Sequence, residues 1–376
     1  MPINLFLGAT IALLPIYLKV TKIDFSRECK DYLLMAIFAL LSLLLGNRRR
    51  GIPKYLYFIG AYFIIMGAMN QWNVASISVV ITTFTFYITS NFIVRYYEGH
   101  DNESIQFIFD GMIFGSIIQS IFAIGGYFGY ELYFPLYNLI HHITWGTAGS
   151  GPLNTVGTLG NVNLLASYLC LCIPAFFTRK SLLWLLPLPT YALLLSHGRM
   201  GIGALLAGVC YYLLIKFDVV SKAKIYLLTI IGMLAFPFLN LGLDNGRVGP
   251  WKRMIAESSI GHKVWGMGLG WFADSRMVMH PGLSKEAGNS ILTMEHSAYL
   301  TIFNAFGLLG ILLLLPIFIR YIRAKDDALL IPTILYIFFC NSYGHFSLQQ
   351  STVMVIIIPL VCIYGGQYAE KKYILP

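Results

Sequence analysis

Three arginines and one histidine stand out by their positions. Arg199 lies in the tight joint SHGRMG, Arg247 and Arg253 in GRVGPWKRM, and His296 in MEHSAYL, each next to long apolar runs. A guanidinium fork matches phosphate oxygens and stays charged at any physiological pH. An imidazole titrates near neutrality and accepts a proton from a hydroxyl as that hydroxyl attacks. Together these groups suit displacement of a diphosphate leaving group by an alcohol. Fixed cations would stabilise the charge that grows on the departing anion, and His296 would act as the base. Glu295 adjoins His296 but on a helix would point about 100° away, which leaves its orienting role open. Plainer readings stand beside these. Arg199 can snorkel to an interface, Arg247 and Arg253 can anchor to lipid headgroups, and His296 can bond a headgroup or a backbone carbonyl.

The elements that would position these groups are read from hydropathy. Of 376 residues, 57% are hydrophobic and only 11% are charged, where a soluble domain would carry about 25% charged residues. Apolar stretches recur between short polar joints, which predicts an all-α membrane protein. About twelve transmembrane helices are expected, at 3–18, 32–46, 55–70, 76–94, 105–128, 162–177, 182–196, 200–217, 225–243, 298–319, 328–345 and 352–368. Several are short for a core of about 30 Å, so tilt is expected. Pro187, Pro189 and Pro237 interrupt some of these runs.

Every second joint is basic: Arg48 to Arg50 with Lys54, Arg95, Arg179-Lys180, Lys216 with Lys222 and Lys224, Arg320 with Arg323 and Lys325, and Lys371-Lys372. Positive charge in short loops marks the cytoplasmic side, so both termini are expected there. Residues 19–31 disagree, since this outer joint holds Lys19, Lys22, Arg27 and Lys30. The N-terminus has neither a basic lead nor a small-residue cleavage site and reads as a retained span. Residues 1–376 form one polytopic domain, and the net charge of +9 needs no nucleic acid to explain it. Five of the six cysteines, all but Cys29, fall in apolar runs, which offers no disulfide framework.

Two long segments then lie outside, 130–161 and 244–297, the second between spans nine and ten. Long loops are often functional. Residues 250–258 suit an interfacial amphipathic helix with Trp251, Met254 and Ile255 on one side. No Asp-x-Asp pair occurs in the outer segments, no acidic or histidine set has metal-ligand spacing, and His141-His142 reads as interfacial. Neither a metal nor another cofactor is expected. The GMGLG stretch (266–270) lacks the strand–turn–helix setting of a nucleotide fingerprint and reads as a turn permitting close backbone approach. Asp110, in FIFDGMIFG, is a midspan acid without an evident partner.

Four stretches carry a family resemblance. HSAYLTIFNAFGLLG places His296-Ser297, then nine residues, Gly307, two residues and Gly310 at the start of a late span. GTLGNVNLLASYL (157–169) opens a middle span, GRVGPWKRM joins Arg247 to Trp251 by an Arg-x-x-x-Trp spacing ahead of GMGLGWF, and SHGRMGIGALLAG centres on Arg199. This pattern resembles the O-antigen ligase and polymerase family of bacterial membrane glycosyltransferases, over about residues 157–317. The resemblance implies that Arg199 and Arg247 hold the donor diphosphate and that His296 activates the acceptor. Substrate contacts are further expected at Asn163 and Trp251, which fall in these motifs, and at Glu295 and Arg253, which are added here. The implied donor is a glycan on undecaprenyl diphosphate and the implied acceptor a lipid A–core hydroxyl. The implied setting is the bacterial inner membrane, with the active site facing the periplasm. The chain departs from the family at Gly203, where members often have leucine, and at His197-Gly198 before the arginine. No clear Arg-x10-Gly motif of some polymerases is present, which favours ligase over polymerase. A transporter or lipid flippase, for which Asp110 would speak, and a structural scaffold of an envelope assembly are the alternatives of other classes.

Overall fold

The computed structural model of the protein describes residues 103–128, 157, 162–221, 259–266 and 307–310, together with 5, 8, 9, 12, 58, 61, 62, 65, 224, 227, 256 and 312. Helix α1 is Glu103–Tyr127 and α2 is Val162–Cys172, which tightens into a 3-10 segment, Ile173–Thr178. A second 3-10 segment, Lys180–Leu185, leads into α3, Pro187–Leu195. Helix α4 is Arg199–Lys216 and the short α5 is Ile260–Trp265. The helical residues 5, 8, 9 and 12, then 58, 61, 62 and 65, and then 307–310 and 312 fall within the expected spans 3–18, 55–70 and 298–319. Five expected spans (32–46, 76–94, 225–243, 328–345 and 352–368) lie outside the described residues, apart from Leu227. Among the described residues one helical stretch, Phe109–Tyr127, is long and apolar enough to cross a membrane. Shorter apolar stretches run over Tyr168–Thr178, Lys180–Leu195 and Gly201–Cys210.

Local chemistry sets these boundaries. The proline pair lies inside the apolar stretch Lys180–Leu195 and marks where its 3-10 segment gives way to α3, since Pro187 stands at the first helical position, where a missing N–H costs nothing. The hydrogen bonding changes there from Leu186 N–H to the Leu183 carbonyl, a 3-10 bond, to Thr190 N–H to the Leu186 carbonyl, an α bond. Helix α3 stops at His197, whose φ of 51° is left-handed and ends the right-handed run. Gly198 N–H then donates to Ser196 Oγ. Asp218 does the same after α4, with φ 53°.

The α2–α3 run forms a helical hairpin, folded at Arg179 so that its two 3-10 segments touch. The hairpin lies on α1, and α4 packs on α2 with a smaller contact to α3. The core between them holds Ile113, Leu165, Leu169, Phe176 and Leu193, all fully buried. Polar side chains share that interior: Ser116, Gln119, Ser120 and Ser196 are buried as well. The serine hydroxyls satisfy themselves on carbonyls of their own helices, Ser116 to Ile113, Ser120 to Ser116 and Ser196 to Leu193. The outside is the reverse. Phe114 and Ile121 lie seven residues apart on the exposed side of α1, with Phe128 just past its end, and Phe177, Trp184 and Tyr191 are exposed on the hairpin. Leu206, Val209 and Leu213, three and four residues apart, are exposed on one side of α4. A helix in water buries its large apolar residues and exposes its polar ones. The described interior thus mixes large apolar side chains with polar ones, and large apolar side chains also stand on the outside.

Small residues set the closest approaches. A Cβ on Gly8 would meet the Phe107 carbonyl oxygen at 2.6 Å, and one on Gly111 would meet the Gly8 carbonyl oxygen. Gly115 is covered by the Tyr168 hydroxyl and by Ala12. The pairs Gly8/Ala12 and Gly111/Gly115, each four residues apart, thus form one close helix crossing.

Candidate functional site

The bundle has two chemically distinct ends. At one, Asp110 of α1 accepts two bonds from Arg179 at the hairpin tip, Nε to Oδ1 at 2.9 Å and an Nη to Oδ2 at 2.8 Å. Gln106, one turn before Asp110, donates to Asp110 Oδ1 and to Thr178 Oγ1, both at 3.2 Å. The Thr178 hydroxyl in turn donates to the Ala175 carbonyl. The midspan acid without a partner in the sequence therefore has one, 69 residues away. The carboxylate is 19% exposed and the guanidinium 43%. A fork-to-carboxylate pair of this kind holds orientation as well as charge.

At the other end the chain closes by backbone proximity. A Cβ on Gly198 would overlap that of Ala166 and come within 3.4 Å of the Val162 carbonyl oxygen. One on Gly201 would meet the Ala166 Cβ and carbonyl oxygen, both at 2.8 Å. Helices α2 and α4 therefore start at the same end, α4 about one turn (roughly 6 Å) deeper. Gly157, left-handed at φ 55°, reaches this region too, since a Cβ there would lie 2.6 Å from Gln119 Oε1. Gln119 is nine residues along α1 from Asp110, or about 13 Å.

Two of the residues singled out from sequence stand at this end. Asn163 is the second residue of α2 and Arg199 the first of α4. No acidic residue lies in the first turn of either helix. The first turn presents N–H groups and the positive pole of the helix dipole, where an anion is stabilised and a cation is not. Helix stability therefore does not account for an arginine at the head of α4. The other candidates, Arg247, Trp251, Arg253, Glu295 and His296, lie outside the described residues, as does the expected helix 250–258 except for the helical Ala256.

A third assembly links distant segments. Helix α5 is capped by Ser259, whose Oγ accepts the His262 N–H at 3.2 Å, and it ends at Gly266 with φ 82°. The carbonyl of Trp265 accepts the Tyr62 hydroxyl at 2.7 Å. Gly307 has φ 63°, and a Cβ on it would collide with the Val264 carbonyl and meet Gly266 N at 2.5 Å. The first glycine of GMGLG and the glycine eleven residues after His296 are thus packed together, and what precedes that glycine is a helix, not a strand. Sequence reasoning missed α5, although its signal was present: a serine cap before Ile260 and a glycine stop after Trp265. Tyr62 carried no signal, because its partner is 203 residues away.

No protein family, no curated protein and no solved structure matches this chain.

Proposed function

We propose that the chain is a polytopic inner-membrane glycosyltransferase of the O-antigen ligase type. It would transfer a glycan from undecaprenyl diphosphate to a lipid A–core hydroxyl at the periplasmic face. One observation carries this reading. Arg199 heads α4 beside the start of α2, at the end of the bundle remote from the Asp110–Arg179 pair. A cation there gains from an anion bound among two sets of helix-terminal N–H groups. The interior serines and glutamine, set against outward Phe114, Ile121 and Trp184, support the membrane setting. Asp110, the acid that speaks for a transporter, has a structural partner in Arg179.

In the proposed reaction the acceptor oxygen attacks the anomeric carbon, the bond from that carbon to the diphosphate breaks, and the stereochemistry inverts. His296 takes the acceptor proton, and Arg199 with Arg247 and Arg253 stabilises the departing diphosphate. Asn163, Trp251 and Glu295 contribute substrate contacts.

Purified full-length protein supplied with a polyprenyl-diphosphate glycan, with and without lipid A–core, tests the reading. Product on the core supports a ligase. Lengthened glycan on the carrier identifies a polymerase instead. Uptake into vesicles without covalent product rejects both in favour of transport. Activity is expected to survive EDTA, and loss restored by magnesium or manganese would overturn the metal-independent mechanism.

A further inference from the structure

Helix α5 is held in place without burial of its own side chains. None of its six residues is buried, whereas Gly266, which ends it, is. Elsewhere the helices are fixed by an interlocked core such as that around Ile113 and Leu165. At α5 the ties are few and specific. The Tyr62 hydroxyl donates to the Trp265 carbonyl at 2.7 Å, across 203 residues of chain. Gly307 closes on the same turn, where a Cβ would collide with the Val264 carbonyl and meet Gly266 N at 2.5 Å. Gly266 and Gly307 both have positive φ, 82° and 63°, a conformation that strains any side chain. Among the described residues, Tyr62 supplies the one side-chain hydrogen bond that α5 receives from outside its own segment.

A segment with few buried apolar contacts opens at low free energy, so a single bond has leverage on where it sits. The same bond inside the packed core would decide little. What hangs on this one is set by the sequence around it. Arg253 stands six residues before the Ser259 cap and Arg247 twelve, and both are proposed above to hold the donor diphosphate. His296, the proposed base, stands eleven residues before Gly307. The chain leading on from the two arginines and the chain leading on from the base therefore both arrive at this one knot.

We infer that Tyr62 is a positioning residue for the donor site. It acts through Trp265: by holding α5 it sets the fraction of molecules in which Arg247 and Arg253 are placed to take the diphosphate. A ligand that binds one arrangement alone shows an affinity reduced by the fraction of molecules in that arrangement. Loss of the tie therefore raises the donor KM, while saturating donor draws the chain back into place and preserves kcat per folded molecule. A tie that served stability alone would lower the amount of folded protein and leave KM unchanged. The inference rests on the glycosyl-transfer reading proposed above.

Tyr62→Phe in the purified full-length protein is the test, since it removes the hydroxyl and keeps the ring. Transfer from a polyprenyl-diphosphate glycan to lipid A–core is followed against donor concentration. Hydrogen exchange, read by mass spectrometry, is measured on peptides covering residues 259–266. One neutral hydrogen bond changes an equilibrium by about 2- to 10-fold. Donor KM is expected to rise by about that factor, with kcat per folded molecule within about twofold of the native value and faster exchange in α5. Faster exchange with an unchanged donor KM would overturn the positioning role and leave the transfer reading intact. Unchanged exchange would overturn it whatever KM does, because Tyr62 would then not be what holds α5. Absence of transfer by the native chain would overturn the functional reading and the inference with it.

Discussion

Arg179 and Arg199 lie twenty residues apart on one stretch of chain and stand at opposite ends of their helices. Arg179 follows the last residue of a 3-10 segment, where carbonyls gather, and Asp110 holds it with two bonds. Arg199 is the first residue of α4, where N–H groups gather and no acidic residue stands in the first turn. The helix dipole favours the first placement and opposes the second. The comparison teaches that a cation in an apolar protein is structural where the fold supplies its counter-charge. It becomes a candidate for function where local helix chemistry works against it.

The largest effect should come from the arginine at the helix start. Arg199→Ala is expected to lower transfer by about 100-fold or more, in line with loss of one preorganised donor to a developing anion. Membrane abundance and thermal stability should stay close to those of the native chain. Arg179→Ala should show the opposite profile, with activity retained per folded molecule and a lowered unfolding temperature. Equal loss of activity in both variants at unchanged stability would erase the distinction.

A second test addresses how the Arg199 end is closed. Gly201→Ala drives a methyl group into the Ala166 backbone, which cannot rotate away, and should cost about 1–3 kcal/mol as overpacking. Gly203, two residues on, has open space around it. There Gly203→Leu, the residue that the resembled family often carries, should be neutral or stabilise by up to about 1 kcal/mol through helix propensity. Denaturation in detergent micelles separates the two, and equal losses would mean that α4 does not rest on α2 as described.

Asp110→Asn sharpens the other end. Its partner is nearly half exposed, so solvent screening limits the expected loss to about 1 kcal/mol. Tyr168→Phe should have the smallest effect. The Tyr168 hydroxyl is buried against Gly115 without a hydrogen-bond partner, so its removal should change stability by less than about 1 kcal/mol and in the favourable direction. A loss of several kcal/mol would show that this hydroxyl makes a bond after all.

Helix positions were legible where apolar runs were long and their ends carried polar or basic residues. The stretch 105–128 was expected and α1 runs Glu103–Tyr127. The start of α4 at Arg199 and the turn at Arg179-Lys180 lie where hydropathy put them. The proline pair reads as an interruption of its run, and the fold adds that the break is a change from 3-10 to α geometry between Leu185 and Pro187. The candidate site was legible as residue types, and the fold adds only that Asn163 and Arg199 head neighbouring helices.

Which segments are apolar enough to form helices, where they stop, and which side chains have the chemistry of anion binding and proton transfer follow from the order of residues. Those properties depend on near neighbours. That Asp110 meets Arg179, that Gly201 rests on Ala166, and that Tyr62 and Gly307 both reach α5 depends on contacts spanning from about 35 to more than 200 residues of chain. No local pattern encodes such partners, because each is selected by the packing of several helices at once.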